Sequence, residues 1–245
     1  MWESAKLNRI RPTTKGISMS HVTKRAKANL ELVEPDKIYT ATEAIELAKK
    51  TATTKFIGSI EVHIKTSIDA KKTDQAIRGS VTLPNGTGKT RKIAAFVTEA
   101  NESSAKAAGA AVVGGEELIK QIKETEKTDF DIAVAEPAMM PKLAGIAKIL
   151  GTRGMMPNPK TGTVSENIAT AISEIAGGKV NFKNDNSGNV HQVIGKTDFD
   201  SAKLEENLKV FIEALQASKP SAVKRAFLVS MSLNSTMGPG IKFKI

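Results

Sequence analysis

The sequence predicts two bodies in one chain: an α+β first domain, a split β-α-β sandwich, and an inserted α/β second domain, three-layered and Rossmann-like. Three observations predict it. Residues 56–68 alternate apolar and polar side chains, the period of a half-buried strand, whereas 200–218 repeat apolar residues at helical spacing. Between these segments, 91–150 interleave short apolar strands with helical stretches, which implies parallel strands joined by right-handed crossovers. Two Gly/Pro loops, 84–88 and 154–162, bracket that middle stretch. Two connectors at one interface form a double-stranded hinge, so both ends of the chain build the first domain. The expected division is a basic arm at 1–19, domain I from 20–87 plus 159–245, and domain II from 88–158.

Taken in order, 1–19 hold a single acid, Glu3, against Lys6, Arg9, Arg11 and Lys15, and no period survives Pro12 and Gly16. This composition predicts a disordered arm that adds contacts to a polyanion. Residues 20–33 read as a short helix with Ser20 as N-cap. Thr40 followed by Glu43 fits a capping box for a helix to Thr51, with Ala41, Ala44, Ile45 and Ala48 on one face. In the 56–68 strand, Phe56, Gly58, Ile60, Val62, Ile64 and Thr66 share a face, opposite Ile57, Ser59, Glu61, His63 and Lys65. A strand at Gly79–Leu83 leads into Pro84-Asn85-Gly86-Thr87-Gly88, a loop of turn formers.

The middle stretch reads as strands at Arg91–Thr98, Ala111–Val113 and Asp131–Ala135. Helices fall at Ser103–Ala108, Glu116–Lys123 and Met139–Leu150, the last stopping at Gly151. Pro157 and Pro159 then bar both helix and central strand, because proline fixes φ and lacks an N–H. The hinge residues are accordingly Pro84, Gly86 and Gly88 on one connector and Pro157, Pro159 and Gly162 on the other. Ser165 opens a helix to Ala176. Strands Lys179–Asp185 and Asn189–Ile194 flank Asn186-Ser187-Gly188, a hairpin signal. In the Asp200–Ser218 helix, Leu204, Leu208, Phe211, Ile212 and Leu215 form the buried stripe, and Pro220 ends it. Strands at Phe227–Leu233 and Ile241–Ile245 close the chain.

The net charge of +10 favours a polyanionic partner. Its distribution locates that partner: 88–158 carry ten basic and nine acidic residues, so the excess sits on the flanks. No cysteine is present, which excludes disulfides and thiolate sites and fits a reducing compartment. No apolar run is long enough to cross a bilayer, and the N-terminus lacks a secretory signal's apolar core.

Chemistry-bearing motifs are few. Gly86-Thr87-Gly88-Lys89-Thr90 resembles the tail of a phosphate-binding loop. However, Leu83 stands where that loop needs glycine, and a strand follows where it needs a helix. Gly114-Gly115-Glu116 opens a helix, but adjacent acids oppose phosphate. The histidines, His21, His63 and His191, are scattered without metal-ligand spacing. No catalytic residue, metal or cofactor is expected. An enzyme using the Rossmann-like unit to bind a nucleotide or small molecule is the alternative. Thr236-Met237-Gly238-Pro239-Gly240 follows a strand bearing Ser230, Ser232 and Asn234. It is either a structural turn or a place where RNA approaches the backbone closely. Phe56, next to Lys55, is either core or rim.

In several stretches the chain resembles the bacterial form of the ribosomal protein L-one family of the large subunit. These are Thr53-Thr54-Lys55-Phe56, Ile68-Asp69, Gln75-Ala76-Ile77-Arg78-Gly79, Leu83 to Lys89, Val113 to Glu116, Asp129-Phe130-Asp131, Met139-Met140-Pro141, Met155 to Val164 and Ser235 to Gly240. They keep the family's order and spacing from about residue 20 onward. Ile57-Gly58, Asn85 and Thr152 depart from its usual residues. The resemblance implies two domains with a cleft between them. It also implies binding to the stalk helices of large-subunit ribosomal RNA through Lys55, Phe56, Glu61, Ser230, Thr236, Met237 and Gly238. Further implications are assistance in releasing deacylated tRNA from the exit site and repression of translation from the leader of its own operon mRNA. The protein would be a cytoplasmic, ribosome-bound monomer, without enzymatic activity.

Overall fold

The computed structural model describes residues 23–34, 37–69, 72, 75–221, 223 and 226–244. The expected arm at 1–19 and the proposed cap Ser20 lie outside them. In chain order the elements begin with α1 Lys24–Glu31, β1 Tyr39–Thr40, α2 Ala41–Lys50, β2 Ser59–Thr66, β3 Arg78–Thr82 and β4 Ile93–Phe96. Next come α3 Glu102–Ala107, β5 Val112–Gly114, α4 Glu116–Thr125, β6 Ile132–Ala135, α5 Met140–Leu143 and α6 Ala147–Thr152. The chain continues with α7 Ile168–Ala176, β7 Lys179–Lys183, β8 Asn189–Lys196, α8 Ser201–Ala217, β9 Leu228–Ser235 and β10 Ile241–Lys244.

These elements give a mixed α/β fold with three sheets. A five-stranded sheet runs β1-β10-β9-β2-β8, antiparallel except for the β1–β10 pair. A two-stranded antiparallel ribbon joins β3 to β7, and a three-stranded parallel sheet runs β5-β4-β6. Along β2, Ile60, Val62, Ile64 and Thr66 are buried, while Ser59, Glu61, His63 and Lys65 face the other way, as period two requires. The buried face meets Ala44, Ile45 and Ala48 of α2 and Leu204, Leu208, Phe211, Ile212 and Leu215 of α8 in one core. Thr40 caps α2 through the expected box: its hydroxyl accepts from Glu43 N, and Glu43 Oε2 accepts from Thr40 N.

The three-stranded sheet is covered on both faces. Phe96, Ala94, Ala133 and Ala135 pack against Ile119 and Ile122 of α4, with Leu143, Ile146 and Leu150 beyond. Ile93, Ala95 and Val134 pack against Ala105 of α3 and Ile168, Ala171, Ile172 and Ile175 of α7. Strand β4 is therefore buried along its whole length, which explains its unbroken apolar run.

Several local expectations are corrected. The strand expected to begin at Phe56 starts at Ser59, because Phe56 and Ile57 turn out to solvent. Thr23 caps α1, its hydroxyl accepting from Ala26 N. Asn167 rather than Ser165 caps α7, and Ser165 Oγ accepts from Asn167 N. The expected Met139–Leu150 helix is α5 and α6 with a 3-10 turn at Ala144–Ile146 between them. The turn at 186–188 is present, with one bridge between Asn184 and Val190, but its strands part: β7 pairs with β3 and β8 with β2. Finally, α7, which a division at 158/159 assigns to the first domain, neighbours β7 but turns its buried face to the three-stranded sheet. Its four buried residues complete the three-stranded sheet's second core.

Candidate nucleic-acid interface

With α2 and α8 on one face of the five-stranded sheet, the polar side chains of β2, β8 and β9 line the other. Among the described residues no helix packs on this outer face. Cross-strand pairing sets Glu61 opposite Asn234, His63 opposite Ser232 and His191, and Lys65 opposite Ser230 and Asn189.

At one end of the face, β9 runs into the Thr236-Met237-Gly238 turn. Thr236 N donates to Ser59 O at 2.9 Å, and Ser59 N donates to Thr236 Oγ1 at 2.8 Å. Thr236 is thus a brace whose hydroxyl the protein already uses. Gly238 N donates to Ser235 O at 2.8 Å. A Cβ on Gly238 would lie 2.3 Å from Ser235 Oγ, so only glycine fits while buried Ser235 keeps this position. Between them Met237 adopts φ 63°, left-handed and unusual for a side-chain residue, and stays 67% exposed. The strain is held by the flanking hydrogen bonds and presents a polarizable side chain to solvent.

Beside this turn lie Lys55 and Phe56, both exposed. Phe56 is 58% exposed, which decides its status: it is rim, not core. The two segments touch through Gly58, where a Cβ would come within 3.2 Å of Thr236 Cβ. Glu61 is half-buried in the same face. Six of the seven expected site residues therefore gather near one end of β2 and β9. Ser230 does not join them: it is exposed six residues back along β9, about 20 Å away.

Two groups missed by sequence reasoning complete this face. His63 and His191, 128 residues apart, meet with their Nδ1 atoms at 2.7 Å. His63 Nε2 lies 2.7 Å from Asn234 Oδ1, and His191 Nε2 lies 3.4 Å from Asp185 Oδ2. Asp185 Oδ1 accepts from Ser187 N at 2.8 Å and Asn189 N at 2.7 Å. The backbone bond from Asn189 is the foremost cause holding the Asp185 carboxyl down at about 2, against the opposing effect of burial. The signal that could have found the histidines was the outward parity of His63 on β2, but their meeting depended on register.

The expected hinge residues separate. Pro84, Gly86 and Gly88 lie on the outgoing connector, fixed by wholly buried Asn207 of α8: its Oδ1 accepts from Asn85 N, and its Nδ2 donates to Gly86 O and Ile194 O. The returning segment against them is Gly177-Gly178, not 154–162. Gly178 has φ 103°, and a Cβ there would stand 2.6 Å from Gly86 Cα. Pro157, Pro159 and Gly162 lie on a loop that meets both sides: it is tied to β6, where Ala135 N donates to Thr163 O at 3.0 Å and Ser165 N to Ala135 O at 3.3 Å, and it meets β3 through Pro159–Thr161 and Lys179 of β7 through Gly162. This loop faces the β3–β7 ribbon across a cleft of about 570 Å³, lined by Arg78, Arg91, Met155, Met156 and Lys183 among others.

The crevice beyond β4 and β5, where an enzyme reading would place a nucleotide, is lined by Glu99, Glu102, Glu116 and Glu117. Glu116 pairs with Lys142 at 2.6 Å, and the hydrogen bond from that lysine lowers its pKa. Lys120 and Lys142 also line it, so the four carboxylates outnumber the cations two to one and the balance opposes phosphate. No group of three or more His, Asp or Glu among the described residues could hold a metal ion. No helix among them is long and apolar enough to cross a membrane.

Residues 48–239 match the model of the Ribosomal protein L1p/L10e family. The protein named Large ribosomal subunit protein uL1 of Mycoplasma capricolum subsp. capricolum is 49% identical over 224 residues, covering 91% of this chain and 99% of the relative. Its counterpart in Mesoplasma florum is 45% identical over 227 residues, covering 93% and 100%. That of Streptomyces coelicolor is 44% identical over 223 residues, covering 91% and 92%. The chain belongs to the ribosomal protein L1p/L10e family.

Proposed function

We propose that this chain binds the stalk helices of large-subunit ribosomal RNA through the turn at Thr236–Gly238 and the open face of its five-stranded sheet. Family membership makes it a structural, non-enzymatic component of the large ribosomal subunit, bound to the ribosome. The observation that carries the site is the Met237 turn: a strained, exposed side chain held between two braces, beside exposed Lys55 and Phe56. In this reading Met237 and Phe56 pack on sugar or base, the Gly238 backbone meets the RNA backbone, and Lys55 meets phosphate. Glu61, a carboxylate, accepts from a ribose or base group. Ser230 makes a separate contact farther along β9.

The chain divides in this proposal into two domains at 84–88 and 177–178, with the split α+β sandwich holding the RNA. The second domain, three-layered and Rossmann-like, moves on the paired connectors at the root of the β3–β7 ribbon. Its swing serves release of deacylated tRNA from the exit site, and the same RNA-binding face takes the leader of the operon mRNA when ribosomal RNA is scarce.

The test is titration of the full chain against a stalk RNA fragment. Thr236→Ala combined with Met237→Ala is expected to weaken binding by about 2–4 kcal/mol, since desolvated contacts and a brace are lost together. Unchanged affinity, with the variant folded by circular dichroism, would place the site elsewhere.

A further inference from the structure

We infer that the cavity between the two connectors binds a phosphate group carried by a small molecule, held by Thr87, the backbone that follows it and Arg91, and that such a ligand restrains the hinge. The second part rests on the two-domain reading above; the site itself does not.

The cavity, about 590 Å³, falls within the range of small-ligand sites, roughly 300–1,000 Å³. Its walls are 84–91 on the outgoing connector and 175–180 on the returning one, with Ile93 of β4 and Gly109 after α3. Asn207 satisfies the first half of the outgoing connector, at Asn85 and Gly86. From Thr87 onward that support ends. Thr87 is only 7% exposed, yet neither its N–H nor its hydroxyl has a hydrogen-bond partner among the described residues. A buried residue with both donors unused is rare, because each costs the free energy of a lost hydrogen bond. Nor is the hydroxyl sealed off. Among the described residues the one enclosed side-chain polar atom without a partner is Ser67 Oγ, and Thr87 lines the cavity.

The next four amides, Gly88 to Arg91, likewise donate to nothing among the described residues. Gly86 and Gly88 stand at φ 61° and 69°, in the left-handed region, so the chain turns twice in quick succession. Free amides on such a turn form the concavity that backbone anion sites share. Of the cations lining the cavity, Lys179 is 2.7 Å from Glu174 and Lys89 is 3.9 Å from Asp131, whereas Arg91 has no ion pair among the described residues. No carboxylate lines the cavity. The uncommitted side chains of Thr87, Thr90 and Arg91 all supply donors, and phosphate, with several acceptor oxygens on one atom, uses them together. Gly86-Thr87-Gly88-Lys89-Thr90 fails as a helix-opening loop because β4 follows it; the same residues suit phosphate as a turn instead. A ligand here touches both connectors, so it favours whichever interdomain angle sets their spacing to fit it.

The experiment is calorimetric titration of the full chain, at fixed ionic strength, with inorganic phosphate and separately with 5′-ribomononucleotides. Saturable binding is expected. Thr87→Val, which keeps the shape and removes the hydroxyl, should weaken it about tenfold, and Arg91→Gln by at least as much. Arg78→Gln, on the opposite cleft, should leave it unchanged. A mononucleotide that binds more tightly than phosphate marks a nucleotide site; equal affinities mark a site for the phosphate alone. No saturation by any of these probes overturns the inference, as does binding that Arg78→Gln abolishes and Thr87→Val spares. The hinge part is read by energy transfer between dyes on Lys123→Cys and Glu213→Cys, in a chain with no cysteine of its own. Ligand should narrow the distance distribution, and should do so less in Thr87→Val at the same concentration. A distribution that bound ligand leaves unchanged overturns the restraint. A single narrow distance before any ligand is added defeats the two-domain reading instead.

Discussion

The five-stranded and three-stranded sheets are built from the same materials and finished differently. The smaller has helices on both faces, so β4 is apolar throughout and nothing of the sheet is offered to a partner. Among the described residues the larger has helices on one face only, and its other face displays Glu61, His63, Lys65, His191, Ser230 and Asn234. A parallel sheet needs crossover helices, which cover it; an antiparallel sheet does not, and its free face can serve recognition. The charge balance follows the same division, with the basic excess on the segments that build the larger sheet.

The sharpest way to break the comparison is to separate the two bodies. Joining Gly86 directly to Gly178 removes 87–177 whole, at a point where Leu83 N already donates to Gly178 O. That variant is expected to fold and to keep its affinity for stalk RNA, measured by gel shift. Removing only 88–158 should instead leave an aggregating product by size-exclusion chromatography. It strands Ile168, Ile172 and Ile175, each losing about 1.5–3 kcal/mol of burial. If both deletions behave alike, α7 is not committed to the smaller sheet.

A smaller effect sharpens the account of the open face. Gly238→Ala should cost about 1–3 kcal/mol in thermal or denaturant unfolding, because the new methyl meets Ser235 Oγ and O. Its RNA affinity should fall further than its stability, since the turn itself is displaced.

The smallest effect concerns Asp185. Its folded pKa, about 2, lies below the ordinary 3.8, so its contribution to stability is full above the ordinary value and is lost as pH falls through the folded one. An acid unfolding titration between about pH 4 and 2 should show this component in the wild type and not in Asp185→Asn.

Some of this was legible in residue order. The box at Thr40 and Glu43, the stripe from Leu204 to Leu215 and the parity of β2 were all correct, because each depends on neighbours within one or two turns. The hairpin at 186–188 shows the boundary of that reasoning. Its turn chemistry formed as expected, yet β7 and β8 found other partners, since pairing is settled by which apolar faces meet. Two further features lay beyond it for the same reason. Proline and glycine at 154–162 marked a loop but not which body it belongs to, and Asn207, an unremarkable polar residue in a helix, became the anchor of the outgoing connector.

The sequence by itself determined where most strands and helices fall, their periods, the open polar parity of β2 and β9, and the turn that ends in Gly238. Only tertiary structure decided that α7 sides with the smaller sheet, that Gly178 closes against Gly86, and that two histidines far apart in sequence meet beside Asn234. The physical reason is range. Caps, turns and alternation are fixed by bonds between near neighbours, whereas register and burial are fixed by surfaces that exist only after the chain has closed on itself.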